Sequence, residues 1–320
     1  MVTSVVVFGG SGFIGTHLLR RLASEQRSSI VSIDLKEPRE RLPRVDYRIG
    51  DVRNLHALDV KAPIDRIYNL AAVHTTPGHA DHEYYQTNIA GASEVTAFAA
   101  RHHVPEIIFT SSISVYGPDE AVKTEQSPLT PVSPYGFSKA LAEQIHRNWF
   151  ECEAGRKLRI VRPAVVFGPG EGGNFTRLAK LLQKGFFVYP GRKNTVKACI
   201  YVEDLLDAVE FACRQSDPFV LFNAAYPQRY TLEDIVNVLI TKHFPSAKTF
   251  VLPKGLVSGM AELLRLLDTF HLGIHPDRVT KLVRSTDISP TWLTQRGLSF
   301  PHGLEAALDR WAAESKGLFR

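Results

Sequence analysis

Hydrophobic and polar positions in the first half of the chain switch repeatedly between two periods. Ser4–Phe8 is a short run rich in β-branched residues, and Ile14–Ser24 follows at once with apolar residues at helical spacing. Ile30–Ile33, Tyr47–Ile49, Arg66–Leu70, Ile107–Ser111 and Arg159–Arg162 are strand-like. Tyr85–His102, which is rich in alanine, and Tyr135–Trp149 are helical. Strands separated by helices are joined by right-handed crossovers and lie parallel, covered on both faces. The pattern therefore predicts an α/β fold with a doubly wound parallel sheet.

After Pro163 the pattern loosens. The stretch at 167–173, FGPGEGG, reads as a loop. Asn174–Gly185 is helical, Val196–Tyr201 strand-like and Val202–Cys213 helical. Thr231–Thr241 is a helix with Thr231 as N-cap and Asp234 three residues on, an approximate capping box. Leu256–His271 forms a leucine-rich helix and Leu304–Glu314 closes the chain. The expected organisation is a dinucleotide-binding domain over 1–167, with 195–222 returning to it, and a smaller mixed substrate lobe over 168–320. Ligands of open α/β sheets bind at the carboxyl ends of the strands, the edge such a lobe would cover.

Composition narrows the function classes. The 320 residues are 44% hydrophobic and 22% charged, ordinary for a soluble globular protein. A net charge of +5, from 38 Lys+Arg against 33 Asp+Glu, comes without a basic block, so no nucleic-acid partner is expected. Three cysteines, Cys152, Cys199 and Cys213, with no CxxC, fit a reducing cytoplasmic setting and no metal. No apolar run reaches the roughly 18 residues of a span, so stable membrane insertion is not expected.

The first candidate chemistry is Gly9-x-x-Gly12-x-x-Gly15, between a strand and a helix. Alone it is a tight packing turn or a phosphate cradle. Backbone N–H groups at a helix start attract an anion when no Cβ obstructs them. Asp34 ends the second strand, 19 positions after Gly15. A carboxylate there binds ribose hydroxyls and repels a 2′-phosphate, favouring NAD over NADP, although Lys36 and Arg39 lie nearby. In Gly50-Asp51-Val52, the Asp51 carboxylate is a candidate acceptor for the adenine amino group. Tyr135 and Lys139 stand four apart on one predicted helical face. A neighbouring ammonium and a positive nicotinamide ring would stabilise the phenolate for proton exchange near neutral pH. Thr110–Gly117 supplies hydroxyls at a strand's carboxyl end, Ser112 foremost and Ser111 next. His74, His79 and His82 stand close in sequence with no cysteine among them and are read as lid or surface residues, so no metal site is read there.

Together these stretches resemble the extended short-chain dehydrogenase/reductase family, in its NAD-dependent nucleotide-sugar epimerase and dehydratase branch. The marks are VFGGSGFIG, Asp34, GDV at 50–52, NLAA at 69–72, Asn88, SSISVYG, SPYGFSK, RPAVVFGPG and IYVEDL. The glycine spacing is that family's, and it implies a Rossmann sheet. The resemblance implies Tyr135 as catalytic acid/base, Lys139 as holder of the nicotinamide ribose, and Ser112 as the active-site hydroxyl. It places Gly9, Gly12, Phe13, Ile14, Gly15, Asp34, Asp51, Val52, Leu70, Ala71, Ala72, Asn88, Tyr135, Lys139 and Pro163 at NAD. Substrate contacts are expected from His74, Ser112, Ser114, Asn174, Arg192, Lys197 and Arg278. Lys197 and Ala198 depart from the common Arg and acid of the family.

Dehydratases of the branch carry an Asp-Glu pair after the Ser/Thr. Here Ile113 and Ser114 stand instead, which disfavours dehydration. The remaining expectation is a C4 epimerase of a nucleotide sugar working through a 4-keto intermediate. The alternatives are an NAD(P)H-dependent 4-ketoreductase of a nucleotide- or polyprenyl-linked sugar, and a non-catalytic NAD(P)-sensing scaffold. A homodimer is implied by resemblance. The apolar face of 256–271 packs on a core or covers a lipid-linked substrate.

Overall fold

The computed structural model describes residues 4–25, 29–75, 78–253, 284–301 and 303–320. The expected helix at 256–271 and Arg278 lie outside them. A central sheet of seven parallel strands is built from β1 (Ser4–Phe8), β2 (Ser29–Asp34), β3 (Val45–Ile49), β4 (Ile64–Asn69), β5 (Glu106–Thr110), β7 (Lys157–Pro163) and β11 (Phe219–Ala224). Its order is β11-β7-β5-β4-β1-β2-β3. The direction of winding reverses between β1 and β4, which opens a crevice at their carboxyl ends.

Helices cover both faces. On one side α2 (Asp81–Arg101) and α3 (Pro134–Glu151) pack together over Val6, Phe8, Ile67, Ile107, Phe109 and Ile160. On the other, α1 (Phe13–Glu25) and α5 (Val202–Cys213) cover Val5, Val7, Ile108 and Val161. Burial on both faces explains why these strands read as continuous apolar runs.

The rest is a set of two-stranded parallel sheets: β6 (Asp119–Lys123) with β13 (Thr286–Ile288), β8 (Val165–Phe167) with β10 (Cys199–Tyr201), and β9 (Phe186–Pro190) with β12 (Lys248–Leu252). They accompany α4 (Asn174–Gln183), α6 (Leu232–Lys242), α7 (Thr291–Gln295) and α8 (Gly303–Glu314). Their apolar residues, among them Phe175, Leu239 and Trp311, join the same core that lies under α1 and α5. The carboxyl-terminal lobe therefore shares a core with one face of the central sheet.

Several boundaries moved for physical reasons. The strand expected from Val196 shortens to Cys199–Tyr201, because Val196 and Lys197 make isolated bridges to Thr231 and Thr286 instead. Helix α2 begins at Asp81, four residues early, because Glu83 Oε1 accepts from the Ala80 N–H at 3.0 Å. The Thr231 capping box forms as read, with Thr231 Oγ1 accepting from Asp234 N at 3.1 Å. Strand β6 carried no readable pattern, since four of its five residues are exposed and the fifth is half-buried.

Candidate active site

The glycine turn is a close approach of two strand ends. Gly9 has φ +84°, and a Cβ there would sit 2.7 Å from Ala71 N, just past β4. At Gly15 a Cβ would collide with Gly9 O and lie 2.7 Å from Gly10 Cα, so α1 packs directly on the turn. Gly12 differs: it is exposed, and its Cβ would meet only Gly9 O, at 3.3 Å. The first and third glycines thus shape the turn, and the second keeps the helix start open. Phe13 and Ile14 begin the helix half-buried.

Asp34 does more than end β2. Its Oδ2 accepts from Ser11 N at 3.0 Å and its Oδ1 from Lys36 N at 3.1 Å. Ser11 Oγ in turn donates to Lys36 O at 2.8 Å. The carboxylate therefore braces the glycine turn at the end of β2. Asp51 is held by its own neighbour: Arg53 donates from Nε at 2.9 Å and Nη2 at 2.6 Å to Oδ2. Those bonds hold the Asp51 carboxyl below its ordinary range. Val52 is buried against Gly91, where a Cβ would come within 2.9 Å of Val52 Cγ1.

Leu70, Ala71 and Ala72 continue from β4, and Asn88 of α2 fixes the end of that segment. Asn88 Oδ1 accepts from Val73 N at 2.9 Å, and its Nδ2 donates to Val73 O at 3.1 Å and Ser138 Oγ at 2.8 Å. Ser138 Oγ reaches Tyr135 O at 2.9 Å. Asn88 therefore ties the β4 extension to the first turn of α3. His74, just beyond, is exposed.

Tyr135, Lys139 and Ser112 meet at the end of β5. Ser133 caps α3, its Oγ accepting from Gly136 N at 3.1 Å, and Pro134 occupies the first turn. Gly136 is a residue the spacing argument missed: a Cβ there would lie 2.5 Å from Ser114 O. Its absence lets α3 sit against the 112–114 turn. Ser112 Oγ accepts from Ser114 N at 3.1 Å, opening the short helical turn Ile113–Tyr116, and the Ser112 hydroxyl is near enough to the half-buried Tyr135 to oppose the rise of its phenol. Lys139, 2% exposed, donates from Nζ to Thr110 O at 2.8 Å and lies 4.9 Å from the centre of the Phe109 ring.

The protonation states differ from the sequence expectation. Burial pushes the Tyr135 phenol up to about 12, only partly opposed by the Ser112 hydrogen bond. Burial also brings the Lys139 ammonium down to about 7, opposed by the charge of Glu143. The protein alone therefore holds Tyr135 as a neutral phenol.

On the substrate side, Arg192 and Lys197 fall into one cluster. Arg192 Nη2 contacts Glu120 Oε1 at 2.5 Å and Ser285 Oγ at 3.1 Å, and Lys197 Nζ donates to Arg284 O at 2.6 Å. Burial, with Arg192 close by, lowers Lys197 to about 8. Glu120 was invisible in the sequence, being one acid on a featureless exposed strand. Asn174 opens α4 and is exposed; Ser114 is half-buried, and Pro163 ends β7 buried. Sequence reading also missed His17, whose ring contacts Glu203 Oε1 at 2.6 Å and Pro169 O at 2.9 Å, fastening the 167–173 loop to α1 and α5.

A dinucleotide is tested by these features. The exposed Gly12 at a helix start, the Asp34 carboxylate and the buried Lys139 beside Tyr135 fit NAD along the crevice. Among the described residues no helix is long and apolar enough to cross a membrane.

Comparison with known proteins agrees. Residues 5–225 match the family model described as NAD dependent epimerase/dehydratase family. The N-acetyl-alpha-D-glucosaminyl-diphospho-ditrans,octacis-undecaprenol 4-epimerase of Escherichia coli O157:H7 is 29% identical over 317 residues, covering 97% of this chain and 94% of the relative. Among solved structures, a UDP-glucose 4-epimerase with UDP-glucose from Thermotoga maritima superposes with a TM-score of 0.79 at 19% identity, over 99% of this chain and 100% of that one. The UDP-glucuronic acid 4-epimerase from Bacillus cereus in complex with NAD gives 0.67 at 23% identity, over 79% and 88%. At those identities the two structures establish the fold.

Proposed function

The chain belongs to the NAD dependent epimerase/dehydratase family, and we propose that it is an epimerase acting at C4 of a nucleotide-activated sugar. The observation that carries the proposal is the convergence of Ser112, Tyr135 and Lys139 on the end of β5, beside the crevice. NAD supplies the hydride acceptor and donor of the reaction when bound.

In the proposed mechanism Tyr135 takes the proton of the C4 hydroxyl and later returns it to the C4 oxygen. Ser112 donates to that oxygen and orients it. Lys139 contributes positive charge that favours the phenolate. NAD is assigned to Gly9, Gly12, Phe13, Ile14, Gly15, Asp34, Val52, Leu70, Ala71, Ala72, Asn88, Tyr135, Lys139 and Pro163. Asp51 would need to share its Arg53-bound carboxylate. His74, Ser112, Ser114, Asn174, Arg192 and Lys197 are assigned to substrate, with the two cations on the diphosphate.

Cofactor binding is assigned to 1–167 with 195–222, and substrate binding mainly to the remainder of 168–320. A cytoplasmic homodimer through α2 and α3 is proposed; exposed Tyr85, Phe137 and Leu141 on those helices support it.

A second carrier is favoured by one finding: the Escherichia coli relative that matches nearly the full chain is named for a sugar on diphospho-undecaprenol. The test denatures the purified protein, identifies released nucleotide, and then offers UDP-glucose, UDP-N-acetylglucosamine and the polyprenyl-diphospho sugar. Bound NAD and conversion at C4 without added cofactor are expected. An empty site that turns over only with added NADH or NADPH makes the protein a ketoreductase, and preference for the polyprenyl sugar assigns the lipid carrier.

A further inference from the structure

Three consecutive residues at the end of β5 are each tied to a different turn of α3. Thr110 O receives Lys139 Nζ at 2.8 Å, Ser111 Oγ donates to Glu143 Oε1 at 2.6 Å, and the Ser112 hydroxyl stands near Tyr135. Tyr135, Lys139 and Glu143 lie four apart along one helical face. The first two belong to the proposed chemistry; the third is given no contact with substrate or cofactor, and its charge favours the Lys139 ammonium.

Glu143 is 0% exposed and fully used. Besides Ser111 it accepts a fork from Arg162 of β7, Nε to Oε1 at 2.8 Å and Nη2 to Oε2 at 2.6 Å. Arg162 Nη1 donates to Tyr116 OH at 2.7 Å, and Tyr116 OH donates to Asn223 Oδ1 at 2.8 Å. Asn223, at the end of β11, donates from Nδ2 to Ser289 O at 3.0 Å. Its backbone N–H shares Glu125 Oε1 with the N–H of Trp292, at 3.0 and 3.2 Å. One buried chain of hydrogen bonds thus runs from α3 to the 285–295 segment of the carboxyl-terminal lobe.

We propose that Glu143 is a positioning residue, fixing the turn that carries Ser112 against α3 and linking it through Arg162, Tyr116 and Asn223 to the carboxyl-terminal lobe. The inference rests on the epimerase reading for its kinetic consequence. A buried carboxylate with three charge-assisted or hydroxyl bonds has one arrangement, so its neighbours inherit that geometry. Loss of the anchor leaves the turn held by backbone hydrogen bonds, Ser111 N to Val161 O at 2.7 Å and Val115 N to Ser112 O at 3.3 Å, with no buried side-chain tie from Ser111 to α3, and Ser112 must stay within hydrogen-bond reach of the reacting oxygen.

Glu143→Gln strands the Arg162 charge and can compromise folding, so the pair of variants Glu143→Gln and Glu143→Met/Arg162→Met is measured in NAD-loaded protein. In the double variant kcat is expected to fall about tenfold or more while KM stays within about threefold, the mark of a transition-state effect. Amide hydrogen exchange across 111–115 should accelerate about tenfold in the same protein, with β1 and β2 unchanged. Wild-type exchange and kcat in a folded double variant overturn the proposal and make the pair a packing element. If the wild type epimerises nothing yet the exchange result holds, the functional reading fails and the positioning role stands.

Discussion

Lys139 Nζ donates to the carbonyl oxygen of Thr110 at 2.8 Å, so a buried ammonium on α3 is pinned to the last residue of β5. That placement has a measurable cost, because burial lowers Lys139 from 10.5 to about 7. Between these values the unfolded chain binds a proton that the folded chain does not, so the stability contribution rises with pH over pH 7 to 10.5. Lys139→Met should therefore stabilise the cofactor-free protein at pH 7 by on the order of 4 kcal/mol, an advantage that shrinks towards pH 10. Urea titrations at several pH values measure it; an equal effect at pH 7 and 10 rejects the desolvation account.

Tyr135→Phe removes the hydroxyl that pairs with Ser112 and leaves the ring contact with Tyr84, at 6.3 Å between centroids. Fold and NAD content should persist while turnover drops at least about a hundredfold, the usual reach of acid–base catalysis. Steady-state rates beside a cofactor assay check both halves. Near-normal turnover would remove Tyr135 from the mechanism.

The three glycines should separate in their effects. Gly15→Ala forces a Cβ into Gly9 O and within 2.7 Å of Gly10 Cα, backbone that cannot step aside. It should cost about 2 kcal/mol or more. Gly12→Ala meets only Gly9 O at 3.3 Å and should change stability by less than about 1 kcal/mol, yet weaken NAD binding by obstructing the helix start. Thermal melts with and without NAD distinguish the two, and unimpaired NAD affinity in Gly12→Ala counts against the cradle.

His146, stacked on Phe109 at 4.1 Å and bonded from Nδ1 to Ala142 O at 2.7 Å, is brought down to about 4 by burial. Its unfolded value is near 6.5. As pH falls from 6.5 to 4 the unfolded state gains the proton first, so folded stability is lost across that window. In His146→Gln the acid-induced loss should be smaller by about 3 kcal/mol at pH 4. Parallel acid-range denaturation curves for variant and wild type would show no cause for the assignment.

What was legible in the sequence was what local spacing controls. The run from Ser4 to Gly15 dictated strand, turn and helix because its β-branched residues, glycines and apolar stripe act within a few residues of one another. Tyr135 and Lys139 shared a face because four positions make about one helical turn. The weak segments were those without a local signal, such as the exposed β6 and the strand ends at Val196 and Lys197.

The sequence by itself therefore determined the alternation of strands and helices, the glycine turn, and the pairing of Tyr135 with Lys139. Only the tertiary structure decided which distant groups surround them. Glu143 joins Arg162 across 19 residues, and Tyr116 joins Asn223 across 107, contacts that no spacing encodes. Those contacts exist because the sheet sets β7 beside β5 and β11 beside β7. The same folding buries Lys139 and half-buries Tyr135, and drawing them out of water sets their protonation: desolvation acts through the whole surroundings of a group, not through its neighbours in sequence.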